Sequence, residues 1–78
     1  MPRSYRLGKR AETAALTRRR ILDAGWAEIE IAGYRPASVE AIAARAGVTR
    51  VTVYRHFASR GELLEAIAWD QIGLARLD

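Results

Sequence analysis

Residues 38–57 read SVEAIAARAGVTRVTVYRHF, and this stretch decides the fold. Val39, Ile42, Ala43 and Ala46 fall at i, i+3, i+4 and i+7, the spacing of one apolar helical face. Gly47 follows, a residue that enters the left-handed region without a Cβ penalty and so stops a helix. Val48 is then expected as a buried plug, and Thr49 as the N-cap of the next helix. That helix carries Arg50, Thr52, Tyr54, Arg55 and His56 within a turn and a half. Many donors and no acid make this a surface suited to an anion. Two short helices around a glycine turn define a helix-turn-helix, whose second helix is built to enter the major groove of DNA.

Working outward, the composition agrees. Seventy-eight residues allow one small domain, near the lower limit for a self-sufficient core. Fifteen alanines favour helices but bury little area each. The net charge is +4 and the pI about 10.3, which points to an anionic partner. The charge is uneven. Residues 1–20 hold seven basic side chains (Arg3, Arg6, Lys9, Arg10, Arg18, Arg19, Arg20) against Glu12, whereas residues 21–78 hold six basic and eight acidic ones. The absence of cysteine excludes a disulfide framework and a thiolate zinc site, and a lone histidine makes a poor metal ligand set. No apolar run approaches the ~18–20 residues of a membrane span, and no signal-peptide core is present. These features predict a cytoplasmic protein, nucleoid-associated through DNA, with no cofactor, no metal and no membrane partner.

Residues 1–10, MPRSYRLGKR, show no apolar helical period and read as a flexible basic arm, which either reaches toward phosphates or contacts nothing. From Ala11 a helical pattern begins. Leu16, Ile21, Leu22, Gly25, Trp26, Ile29 and Ala32 give it an apolar face, and Gly33-Tyr34 and Pro36 stop it near residue 32. Arg18, Arg19 and Arg20 fan around this helix, and at least one is expected to point at phosphate. Ser38 is expected to cap a second helix over 39–46, and a third runs over 50–57. Ser59-Arg60-Gly61-Glu62 fits a capping box for a fourth, over 59–74, with Leu63, Leu64, Ile67, Ile72 and Leu74 on its apolar side. The expected fold class is all-α: a three-helix, homeodomain-like helix-turn-helix bundle over 11–58, and over 59–78 the start of a fourth, linking helix.

Phosphate contacts position a DNA-binding protein and base-edge contacts specify sequence. On the third helix Arg50, Val51, Thr52 and Arg55 face outward, while Val53 and Phe57 point inward with Tyr54 at their edge. Arg50 can present a bidentate fork to guanine O6 and N7, and Val51 and the Thr52 methyl suit a thymine methyl. Tyr54 and His56 suit phosphate oxygens, each with a plainer alternative as a core-edge ring or a surface residue. Ser38 is either a cap alone or a cap that also presents a helix start to phosphate. Arg60 is expected to contact phosphate, and Arg35 and Arg45 to be solvated charges.

Ile21-Leu22-Asp23-Ala24, Gly33-Tyr34, Ser38-Val39, Ile42-Ala43, Ala46-Gly47-Val48, Thr52-Val53-Tyr54, His56-Phe57 and Leu63-Leu64 occur in an order and spacing that closely resemble the N-terminal domain of TetR-family transcriptional regulators. The resemblance covers roughly residues 13–70. It implies a DNA-reading domain made by the first three helices and a fourth helix leading to a ligand-binding and dimerising domain absent from these residues. It also implies DNA contacts at Ser38, Arg50, Val51, Thr52, Tyr54, His56 and Arg60, a duplex operator as partner, a homodimer for the full-length protein, and repression relieved by a small-molecule effector. By the same resemblance the 78 residues alone are expected to be monomeric or only weakly self-associating. Departures fall in the core: Glu28 stands at a usual leucine, Ile29 at a usual aromatic, Gly25 and Trp26 are unusual, and Gly61 replaces a common acid.

Two other functions compete with DNA binding. A small helical protein-interaction module could dock through helix four, and a membrane-surface binder could use Arg18–Arg20 and Trp26. The second is disfavoured because the apolar faces are needed for the core and Glu62, Glu65 and Asp70 would be repelled. No paired-carboxylate, nucleophile–base or phosphate-loop pattern suggests an enzyme.

Overall fold

The computed structural model describes the backbone of residues 2–77 and the side chains of residues 12–73. Four helices follow one another: α1 (Pro2–Ala32), α2 (Val39–Ala46), α3 (Arg50–His56) and α4 (Arg60–Leu77). Among the described residues there is no strand. The expected all-α class and the order of four helices are present.

The helix ends follow from local chemistry. Gly33, at φ 91°, ends α1 and its N–H bonds the Ile29 carbonyl at 2.8 Å. Ser38, in extended backbone, caps α2 by accepting the Ala41 N–H at 3.1 Å on Oγ. Gly47, at φ 74°, closes α2, and Val48 N–H returns to the Ala43 carbonyl at 3.0 Å. These paired returns around a left-handed residue satisfy carbonyls that the helix leaves open. Thr49 Oγ1 caps α3 through the Thr52 N–H at 3.1 Å. Ser59 Oγ accepts the Glu62 N–H at 3.2 Å, and Glu62 accepts the Ala58 N–H at 3.0 Å. The Glu62 carboxylate thus reaches one residue further back than a standard capping box requires.

One apolar core joins all four helices. Ile21, Ile42, Val53, Leu63 and Ile67 are its most enclosed large side chains, with Leu22, Val39, Ala43, Phe57, Leu64, Ile29, Ala24 and Ala37 around them. α1 and α4 approach closely at Gly25, where an added Cβ would lie 2.2 Å from Ile67 Cδ1 and 3.0 Å from its Cγ1. The helices are also latched electrostatically. Arg19 forks onto both carboxylate oxygens of Asp70 on α4 and bonds Asp23 on its own helix at 2.8 Å. The hydrogen bonds from Arg19 hold the Asp70 carboxyl below its ordinary pKa.

Several expectations need correction. Residues 2–10 continue α1 rather than forming an unstructured arm, so no break marks residue 11. Arg3, Arg6, Leu7, Lys9 and Arg10 are strong helix formers, and Pro2 occupies the first helical position, where its missing N–H costs nothing. Whether those side chains reach a partner lies outside the described residues, as does the side chain of Leu74. Helix α3 stops at His56, and α4 runs on to Leu77. Val48 is half-buried against the core rather than enclosed, and Leu16 is exposed. Arg45 is not a free solvated charge: it bonds Glu28 at 2.9–3.0 Å, so an ion pair ties α1 to α2 where a core leucine was expected. Ile29 is itself buried, and Trp26 packs half-buried against the same cluster.

The α1–α4 contact can be tested at its packing and at its ion pair. Gly25→Ala gains helix propensity but forces Ile67 to move, so it should lower stability by about 1 kcal/mol net in urea unfolding. Ile67→Val removes the obstructing Cδ1, and the double variant should lose less than the sum of the two singles. Asp70 is depressed in the folded state, so its contribution is complete above the unfolded carboxyl pKa and vanishes as pH falls through the folded one. Asp70→Asn should therefore lower Tm at pH 7, and should show a smaller decline than wild type when thermal unfolding is followed from about pH 5 to pH 2.

Candidate nucleic-acid interface

Helix α3 is seven residues long and is held by Val53 and by its C-cap residue Phe57, whose side chains enter the core. The opposite side is left to solvent. Arg50, Val51, Tyr54 and Arg55 line one shallow groove there, with Val51 62% and Tyr54 37% exposed. An apolar contact flanked by two guanidiniums and a phenol is a surface that can meet base edges and phosphates together.

Arg50 is partly organised before any partner arrives. Its Nε lies 3.4 Å from Glu40 on α2, and its guanidinium carbon stands 5.4 Å from the centre of the Tyr54 ring. Both members of the Arg50–Glu40 pair are more than 60% exposed, so the pair is a weak surface contact. Thr52 is turned toward its own helix start, with its hydroxyl 3.1 Å from that of Thr49.

The remaining predicted residues are placed elsewhere. Ser38 is half-buried at the start of α2, bonded to Ala41. His56 sits on the flank of α3 that faces α1 and α4, sharing a concavity with Arg18, Phe57, Glu62, Glu65 and Trp69, and is not brought together with Arg50. Arg60 faces the α1–α2 connector: its Nε donates to the Ala37 carbonyl at 3.0 Å, and its Nη2 to those of Tyr34 and Arg35 at 3.1 and 2.9 Å. The structure thus gathers Arg50, Val51, Tyr54 and Arg55 into one face, with Ser38, Thr52, His56 and Arg60 outside that groove.

Two of the three arginines in the run on α1 have structural partners. Arg18 stacks over Phe57 at 5.0 Å, Arg19 is bound to Asp23 and Asp70, and Arg20 lines a groove with Asp23 and Arg45 between α1 and α2. Sequence reasoning missed Glu40 beside Arg50, because that pair joins two helices and leaves no trace in either helix's periodicity. The same holds for Arg18 on Phe57.

A bundle of this architecture, with a capped and glycine-separated pair of short helices, is a helix-turn-helix domain. A family profile, described as bacterial regulatory proteins of the tetR family, matches residues 21–67. The HTH-type transcriptional regulator SrpR of Pseudomonas putida is 42% identical over 59 residues, covering 76% of this chain and 28% of SrpR. The uncharacterized HTH-type transcriptional regulator TtgW, from a strain of the same species, is likewise 42% identical over 59 residues, covering 76% of this chain and 44% of TtgW. No solved structure matches the chain. The chain belongs to the tetR family of bacterial regulators, and residues 21–67 are its DNA-binding domain. It spans less than half the length of either relative. The family is one of transcription regulators, not of enzymes.

The caps that set the turn can be tested directly. Ser38→Ala and Thr49→Ala should each lower stability by about 1 kcal/mol, whereas Ser38→Gly should cost only a few tenths, as read by urea denaturation.

Proposed function

We propose that this chain reads a specific duplex operator with the outer face of α3, as the DNA-reading domain of a repressor that a small-molecule effector releases. In this reading Arg50 forks onto guanine in the major groove, while Val51 and the Thr52 methyl contact thymine methyls. Tyr54 and Arg55 hold phosphate on either side, Ser38 presents the start of α2 to the backbone, and His56 contributes from the flank. The observation that carries the reading is the solvent-facing set Arg50, Val51, Tyr54 and Arg55, opposite Val53 and Phe57.

The family resemblance supports the wider setting, which we also propose: a longer protein, dimeric through residues beyond these, that bridges two half-sites in the cytoplasm and joins the nucleoid through its operator. Membership of a regulator family weighs against the alternative of a docking module that works through α4. A salt titration separates them, because displaced counterions make DNA affinity fall steeply with salt while apolar docking stays nearly flat.

Selection of duplexes from a random pool gives the preferred site, and two variants then divide the labour. Arg50→Ala should cost about 1–3 kcal/mol on that site and relax preference at one base position. Tyr54→Phe should weaken binding by a similar factor on selected and scrambled duplexes at one fixed salt concentration. Equal losses on both duplexes for Arg50→Ala would make Arg50 a phosphate contact and refute the base-reading assignment.

A further inference from the structure

The first residue of α4 holds on to the segment that starts α2. Arg60 Nε and Nη2 lie on one edge of a planar guanidinium and together reach the carbonyls of Tyr34, Arg35 and Ala37 at 2.9–3.1 Å. Those carbonyls belong to the connector after α1, which carries no regular structure to occupy them. The link also runs the other way, since the Tyr34 hydroxyl donates to the Leu64 carbonyl at 3.4 Å. Ala37, the last carbonyl held, is 1% exposed and directly precedes Ser38. Ser38 in turn holds two amides of α2, Ala41 N–H through Oγ at 3.1 Å and Ile42 N–H through its carbonyl at 3.0 Å. A chain of bonds therefore runs from Arg60 through the connector to the first turn of α2.

We infer that Arg60 is a positioning residue for DNA reading, fixing the connector and with it Ser38 and the start of α2, and not a phosphate contact. This inference rests on the DNA-reading function proposed above. Its physical basis is the shape of the guanidinium. A lysine ammonium keeps the charge and most of the reach, but it is a point donor and cannot span three carbonyls from one flat edge. A phosphate contact, by contrast, tolerates lysine because the charge supplies most of the attraction.

The test compares Arg60→Lys and Arg60→Gln with the wild-type 78-residue chain. In the absence of DNA, amide hydrogen exchange at Ala41 and Ile42 should quicken roughly ten-fold in both variants, while the Val53 amide, held by the Thr49 carbonyl, stays unchanged. On the duplex recovered from a random pool, both variants should lose affinity by a similar factor, with the wild-type slope of log K against log salt. The inference falls if neither variant changes exchange at Ala41 and Ile42. It also falls if Arg60→Lys binds like wild type while Arg60→Gln gives a slope shallower by about 0.9, the mark of one lost phosphate contact. Wild-type protein that binds no duplex from the pool refutes the DNA-reading function itself, whatever exchange shows. Circular dichroism confirms folding, and if Arg60→Gln does not fold, Arg60→Lys carries the test.

Discussion

A seven-residue helix has no stability of its own, and everything about this domain follows from keeping one in place. Nucleating a helix is costly, and isolated helices below about 12–15 residues are marginal even with ideal sequences. Helix α3 buries only Val53 within itself and Phe57 at its C-cap, because the rest of its surface is turned outward. Its order therefore comes from those two anchors and from the Thr49 cap that satisfies the Thr52 N–H. The anchors work only if α1, α2 and α4 present a finished wall, and that requirement explains the packing behind them.

The wall is closed by fit on one side and charge on the other. Gly25 lets Ile67 lie against the α1 backbone, so α1 and α4 meet without the gap that a side chain at both positions would force. Arg19 and Asp70 then fix the rotation of the two helices, and Arg45 and Glu28 do the same between α1 and α2. This gives the basic N-terminal half a different meaning from the one its net charge suggests. Arg18 and Arg19 are committed to Phe57, Asp23 and Asp70, so the excess positive charge there is partly an internal framework. Long-range attraction of an anion survives such pairing, while the ion-paired guanidinium of Arg19 is occupied by its two carboxylates.

Much of the fold was legible because it rests on local chemistry. Ser38, Gly47 and Thr49 act within three or four residues of themselves, and the apolar period in α2 and α4 marks Ile42, Leu63 and Ile67 wherever they pack. The failures share a cause. The extension of α1 through residues 2–10 depends on propensity, which an absent apolar period conceals. Exposure of Leu16, pairing of Arg45 with Glu28 and stacking of Arg18 on Phe57 depend on where other helices lie. At the candidate interface the same division holds. The outward side of α3 could be read from the spacing of Val53 and Phe57, whereas the inward commitment of Arg60 needed the connector in three dimensions.

The contacts that hold Arg50 in the free protein are weak, and their weakness has a consequence for base choice. Its partners are an exposed carboxylate 3.4 Å away and the Tyr54 ring. An exposed pair of this kind contributes on the order of 0–1 kcal/mol, and a cation over an exposed ring about 0.5–1. A bidentate contact to a matching guanine contributes about 1–3 kcal/mol of discrimination against a wrong base. The two sets are close enough that Glu40 and Tyr54 can hold the side chain extended without trapping it. They also differ in kind, because a guanine edge offers the guanidinium two matched acceptors whereas Glu40 offers Nε one oxygen at 3.4 Å. In the proposed reading the cost of leaving Glu40 and Tyr54 is the same whether Arg50 meets a base or a phosphate, so the two contacts set where the side chain starts and sequence choice rests on the fork itself.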